Sequence, residues 1–415
     1  MAVFNPFLPS FQADPYPQYA ALRAADPVHF SLALQAWVLT SYEECALVLR
    51  DDETFSSSSN TASGQLAEVL QQQRREFPLG ETPTVLNSDP PVHTRLRSLL
   101  NRAFTPRAIE GLRPRIEEIA TSLLDDADAS NGRFDVATGF AQPLPIIVIA
   151  ELLGVPPEDR DRFKRWSVAI ARTTDVLNTP AILDAAREAT RELIAYMDEV
   201  VADRRNAPGA DILTALAAAE EEGERLSHDE LLAFSILLLL AGHETTTNLI
   251  GNGLLALAAR PELVARLRAE PSLLPTAVEE LLRYDSSVQG VVRFARRRTE
   301  LGGRTIEQGA ALLPMVGAAN RDPAQFDDPD ELDLERSPNR HLAFGRGIHF
   351  CLGAPLARLE GEIAFAALLD RFPELRIAED GVERNGTLLL RGVGRLELEA
   401  SAARGRRGAV AECAP

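Results

Sequence analysis

Apolar positions along this chain recur mainly at the three- and four-residue spacing of one helix face. The pattern predicts helices over residues 91–104, 109–127, 145–153, 181–204, 227–260, 273–284 and 352–372. Strand-like stretches are short and lie toward the ends: "WVLTS" after Ala36, "VVRFA" from Val291, the apolar run near Ala311, and "TLLLRG" and "RLELEA" near the C-terminus. The expected fold is mainly α with a small β-sheet region. No internal repeat and no Gly/Ser linker divides the chain. Residues 5–400 are therefore read as one domain, with residues 401–415 as a flexible tail.

The helix expected over 227–260 opens on Ser227 and Glu230, an S-x-x-E capping box, and meets no proline before Pro261. At 1.5 Å per residue it spans roughly 50 Å, enough to cross a domain, so its middle must be buried. Yet "LLLLAGHETTTN" at 237–248 places Gly242, Glu244 and the β-branched Thr245, Thr246 and Thr247 in that middle. A glycine there costs about 1 kcal/mol relative to alanine. The threonines lower helix propensity further, and an unpaired buried carboxylate is worse still. Such a turn is either a kink with hydroxyls bonded back to the preceding turn or a functional site.

A second unusual stretch is "HLAFGRGIHFCLGAPLARLE" at 341–360. Leu352, Leu356, Leu359 and Ile363 mark one helix face, so Cys351 stands where a loop enters a helix N-terminus. Free N–H groups and the positive end of the dipole stabilise a thiolate there. Gly345, Gly347 and Gly353 lack a Cβ and let backbone approach a flat ligand. A thiolate among amide donors, with room for a planar group, suits a haem iron. A structural cysteine is the plainer reading. The spacing F-x-x-G-x-x-x-C-x-G, held by Phe344, Gly347, Cys351 and Gly353, is far more specific than that reading requires.

Composition narrows the classes. With 45% apolar residues in 415, the chain can bury a large core. A formal charge of −18, from 61 acidic against 43 basic residues, argues against a nucleic-acid partner. Three widely spaced cysteines, Cys45, Cys351 and Cys413, form no C-x-x-C pair and suggest neither a disulfide framework nor a zinc site. The proline-broken start "MAVFNPFLPSFQADPYP" has no basic n-region, and the apolar run at 231–241 is too short to cross a bilayer. A cytoplasmic protein with no membrane contact is expected.

Taken in order, these motifs resemble the cytochrome P-450 superfamily, in particular its soluble bacterial members, over residues 5–399. "AGHETT" at 241–246 and the E-x-x-R pair Glu280 and Arg283 complete the resemblance, with Arg336 in "DLERSPNRHLAFG" as the implied partner of that pair. The resemblance implies a P-450 fold holding haem b between the central long helix and the cysteine loop. Cys351 would be the axial thiolate and metal ligand, with Phe344, Gly345 and Gly353 around it. His93 and Arg97, one helix turn apart, together with Arg293 and His349, would hold the haem propionates. Ala241 and Gly242 would leave room for oxygen and substrate beside the helix, with Thr245 and Glu244 as the catalytic alcohol and acid. Implied substrate-lining positions are Leu237, Leu240, Ala241, Gln289, Val291, Leu389 and Leu390, and residues 56–85 and 172–186 would cover the pocket mouth.

The implied activity is monooxygenation, hydroxylating or epoxidising a lipophilic small molecule such as a fatty acid, terpenoid or polyketide with O₂ and two electrons. No flavin or nicotinamide motif is present in the sequence, so a ferredoxin or flavodoxin with an NAD(P)H-dependent reductase is the implied donor. Arg95, Arg102, Arg346 and Arg358 would form a basic patch that steers it. A peroxide-driven haem-thiolate hydroxylase and a non-catalytic haem carrier or sensor are the alternatives.

Overall fold

The computed structural model describes residues 4–125, 133–174, 179–209, 211–221 and 223–399. The tail expected at 401–415 with Cys413, the end of the helix expected at 109–127, and part of the mouth-covering segment 172–186 lie outside these residues.

The fold is mainly α with a small β-sheet region. Its axis is the helix His228–Ala258, capped as the sequence requires: Glu230 N donates to Ser227 Oγ at 3.1 Å and Ser227 N to Glu230 Oε2 at 2.8 Å. Gly242 and the threonines do not break it. Its cooperative hydrogen bonding and burial outweigh the local propensity loss. Leu239, Ile250, Leu254 and Leu257 are almost wholly excluded from solvent. Around this axis pack Pro143–Leu152, Arg160–Ala171, Pro180–Asn206, Leu274–Tyr284 and Ala354–Arg371. Several of these helices open on proline, whose missing N–H is no loss in the first turn.

A five-stranded sheet orders Val28–Ser31, Ala36–Leu39, Ala311–Pro314, Arg293–Ala295 and Phe55–Ser56 from edge to edge. Its one parallel pairing sets Leu312 opposite Trp37 and Pro314 opposite Leu39. A second sheet pairs Ile377–Gly386 with Arg391–Glu399, and the latter with Arg133–Asp135. The apolar run 387–390, expected as a strand, is instead the turn between two strands. Thr387 Oγ1 donates to Leu390 O and accepts from Leu390 N, both at 2.8 Å. The strand before it, "IAEDGVERNG", carries too many charges to show an alternating pattern. Among the described residues no helix is long and apolar enough to cross a membrane.

Candidate functional site

The cysteine loop is held from three directions. Cys351 N donates to Phe344 O at 2.9 Å, closing the loop on itself. Arg97 Nη1, from the helix Val92–Ala103, donates to Phe350 O at 2.8 Å. Gly347 adopts φ +73°, and a Cβ there would lie 2.9 Å from Arg50 Cα and Leu49 O, so the loop presses directly on the helix Tyr42–Arg50. At Gly353 the nearest atom to an added Cβ is Cys351 Sγ, at 3.9 Å. Burial pushes the Cys351 thiol up, more strongly than the Gly353 amide, the Arg97 charge and the Ala354 amide pull it down. The helix N-terminus helps as the sequence suggests, but desolvation outweighs it. The protein alone favours the thiol, and a metal held by Cys351 would favour the thiolate.

Beside the loop lies a set of buried polar side chains, two of them with an unpartnered nitrogen. The His93 and His349 rings sit 4.4 Å apart between centroids, tilted 60°, and both Nε2 atoms are buried without a hydrogen-bond partner. Arg293 is 8% exposed, and its Nη1 donates to Val292 O at 2.8 Å. Burial lowers each of these groups: His349 to about 3, with Arg293 and His93 adding to the effect; Arg293 to about 10; and His93 and Arg97 below their usual values. Buried polar atoms without partners are rare in native proteins. Carboxylates would satisfy them, and a planar group ligated by Cys351 with propionate arms brings carboxylates here. The residues present therefore fit a haem.

The polar turn of the central helix is pinned on several sides. Thr245 Oγ1 donates to Ala241 O at 2.7 Å, the back-bond anticipated as the plainer reading. Ala241 is exposed. At Gly242 a Cβ would stand 2.6 Å from Ile149 Cδ1, so its smallness also serves packing against Pro143–Leu152. Thr247 Oγ1 donates to Ala141 O at 3.0 Å, and His243 Nδ1 lies 2.8 Å from Ser167 Oγ. Glu244 Oε2 is buried with no partner, and burial pushes its carboxyl up to about 7.

Sequence reading missed Glu360. It is 1% exposed, with Oε1 unpartnered and Thr246 beside it, and burial pushes it up to about 8. A signal existed: Glu360 follows Leu356 by four on the apolar face of its own helix.

Glu280 and Arg283 are fully buried and paired twice, Nη2 to Oε1 and Nε to Oε2, each at 2.8 Å. Arg336 joins through Nε, and Asn339 Nδ2 donates to Glu280 Oε2 at 3.0 Å. Of the expected basic patch, Arg95 forms an ion pair with Glu230, and Arg358 one with Glu279 at 2.6 and 2.9 Å. The Arg358 guanidinium also lies 4.6 Å over the Phe344 ring.

Among the expected lining residues, Leu237, Leu240, Val291, Leu389 and Leu390 are half-buried. Gln289 does not belong with them. It is 2% exposed, its Nε2 donates to Ser286 O at 2.7 Å and its Oε1 accepts from Tyr19 Oη at 3.2 Å. Its carboxamide is engaged inside the protein by Ser286 and Tyr19 rather than turned to a ligand.

Comparisons with known proteins agree with this geometry. The family model described as Cytochrome P450 matches residues 37–390. The chain is 43% identical to 6-deoxyerythronolide B hydroxylase of Saccharopolyspora erythraea, covering 93% of this chain and 96% of that one. It is 42% identical to vitamin D(3) 25-hydroxylase of Pseudonocardia autotrophica, covering 94% of each. The solved structure of the bacillaene polyketide synthase cytochrome P450 PksS of Bacillus subtilis superposes with a TM-score of 0.87 at 40% identity, covering 96% of this chain and all (100%) of that one.

Proposed function

Because the chain belongs to the cytochrome P450 family and is an oxidoreductase of that family, we propose that it inserts one oxygen atom of O₂ into a lipophilic small molecule of the polyketide, terpenoid or fatty-acid kind. Its electrons come from a ferredoxin or flavodoxin served by an NAD(P)H-dependent reductase. The observation that carries this reading is the convergence of buried Arg293 with the unpartnered Nε2 atoms of His93 and His349 beside the Cys351 loop. Relatives named for hydroxylating 6-deoxyerythronolide B and vitamin D(3) support a bulky apolar substrate.

Cys351 Sγ would hold the haem iron, and His93, Arg97, Arg293 and His349 its propionates. When bound, the haem supplies O₂ binding and activation through one-electron chemistry, with the thiolate donating electron density. The chain's own residues do the rest. Leu237, Leu240 and Val291 present apolar surface that orients the substrate and excludes water. Glu244, with a carboxyl poised near neutrality, takes up a proton at Oε2 and releases it inward. Thr245 Oγ1 holds the last proton of the relay, the one it now shares with Ala241 O.

This acid–alcohol pair favours O₂ as the oxidant, since its reduction needs two protons from outside whereas a peroxide brings its own, and favours an enzyme over a carrier, which needs none. The test is the spectrum of the dithionite-reduced protein with carbon monoxide, recorded with and without a panel of lipophilic compounds. A long-wavelength Soret band is expected, and a compound that shifts the ferric spectrum identifies the substrate class. Absence of that band from folded, haem-loaded protein withdraws the reading.

A further inference from the structure

Ser167 and His243 join two parts of the molecule that the mechanism leaves separate. Ser167 lies on Arg160–Ala171 and is 0% exposed; His243, on the central helix, is 5% exposed, and their Oγ and Nδ1 atoms are 2.8 Å apart. His243 directly precedes Glu244 and Thr245. Burial, with the charge of Lys164 adding to it, pulls the imidazole down to about 4, so the contact is between neutral groups at pH 7.

The helix bearing Ser167 is fastened to its neighbour Pro180–Asn206. Trp166 Nε1 donates to Glu192 Oε2 at 2.6 Å, Tyr196 Oη donates to Asp159 Oδ2 at 2.9 Å, and the Arg162 guanidinium lies over both rings at 5.1 and 5.4 Å. Pro180–Asn206 in turn reaches the helix Gly64–Glu76. Arg187 pairs with Glu76, and its guanidinium lies 5.5 Å from the Phe77 ring centroid. Gly64–Glu76 falls in the segment assigned to the pocket mouth. A continuous chain of contacts thus runs from the mouth to His243.

The other side chains of the polar turn rest on different elements. Gly242 faces Ile149, Thr246 faces Glu360, and Thr247 bonds Ala141 O. Ser167 therefore gives the mouth helices a separate polar hold on this turn. If they withdraw, the His243 ring loses Ser167 while keeping its bond to the Leu239 carbonyl on its own helix, and the turn re-settles around it. Proton delivery depends on placement within about 1 Å.

We propose that Ser167 and His243 are positioning residues: their hydrogen bond makes the orientation of Glu244 and Thr245 depend on the seating of the mouth helices. This rests on the monooxygenase reading for its consequence but not for the link itself. Proton delivery is then ready when the pocket is closed and impaired when it is open.

The test uses the full-length, haem-loaded protein and four forms: wild type, Arg187→Ala, Ser167→Ala and the double variant. Arg187→Ala loosens the mouth clasp from afar. Amide hydrogen exchange should rise at least threefold in both 160–171 and 241–247 for Arg187→Ala alone. In the Ser167→Ala background the same change should raise exchange in 160–171 only. Transmission to 241–247 regardless of Ser167, or no transmission at all, overturns the link.

With a compound that shifts the ferric spectrum and a surrogate ferredoxin system, Ser167→Ala should raise the share of NAD(P)H electrons lost as peroxide at least threefold, with the dissociation constant changed less than twofold. Weaker binding with unchanged peroxide would mean that the bond merely holds a helix, and would overturn the positioning role. If wild type lacks the carbon monoxide band or NAD(P)H-dependent product, it is the monooxygenase reading that fails; the exchange result still decides the link.

Discussion

Arg336 Nε lies 3.1 and 3.2 Å from the two carboxylate oxygens of Glu280, 56 residues earlier in the chain. With Arg283 on the same carboxylate and Asn339 beside it, this ties the segment leading into the cysteine loop to the helix Leu274–Tyr284. Backbone carbonyls of Asn320, Pro329 and Glu331 take the remaining Arg283 donors. A buried guanidinium with every donor engaged fixes one geometry, and the pair adds stability only as long as it is intact.

Removing one partner is therefore severe. Glu280→Gln leaves two guanidinium groups without their counter-charge and should destabilise by about 3–5 kcal/mol in urea unfolding. Haem retention should fall with it, since Cys351 depends on the segment that Arg336 anchors. A loss below about 1 kcal/mol would mean that the cluster does not hold the loop.

The donors near Cys351 predict a graded effect on haem retention. A hydrogen bond to a charged group contributes about 1.5–3 kcal/mol, and a neutral one about 0.5–1.5 kcal/mol. Arg293→Leu should thus speed haem transfer to apomyoglobin by roughly ten- to a hundredfold. His349→Phe should speed it by roughly two- to tenfold. Equal rates in both variants and wild type would show that these side chains hold no propionate.

Legibility in the sequence followed the number of residues sharing one physical demand. The central helix could be placed within two residues because its cap, its apolar face and the distant proline agree. The cysteine loop was legible because Gly347 answers both a positive φ and a close approach. Gln289 was misplaced because its neighbours in sequence line the sheet while its own amide turns inward to Ser286 and Tyr19, a choice that only tertiary contacts make. The packing reason for Gly242 was not legible, because the atom a Cβ would meet, Ile149 Cδ1, lies on another helix. The turn at 387–390 looked like a strand because its leucines are apolar, while the local bonds of Thr387 bend the chain there.

Thr245 offers a sharper test of the proton relay. Its hydroxyl bonds Ala241 O within the helix, so Thr245→Ala deletes a back-bond the helix does not need and should leave folding within about 0.5 kcal/mol. Haem and substrate binding should persist, while product formed per NAD(P)H consumed falls several-fold and peroxide rises. Unchanged coupling would remove Thr245 from the relay.

Glu244 links the relay to pH. Burial raises its carboxyl from the ordinary 4.5 to about 7, so the folded protein holds a proton there that the unfolded chain releases above 4.5. A raised folded value contributes stability that is fully present below 4.5 and lost as pH climbs to about 7. Glu360, raised to about 8, acts in the same sense, so comparing wild type with a variant at one site is what isolates Glu244. Glu244→Gln keeps the shape and cannot ionise. Its stability relative to wild type should therefore improve between pH 5 and pH 8, on the order of 1–3 kcal/mol in urea unfolding. Coupled turnover carries the same signature in the opposite direction. Wild type should lose product per NAD(P)H above about pH 7 as the donor empties, whereas Glu244→Gln should be slower by on the order of a hundredfold and lack that limb. A stability difference independent of pH would mean that this carboxyl is not perturbed, and its part in proton delivery would lose its physical basis.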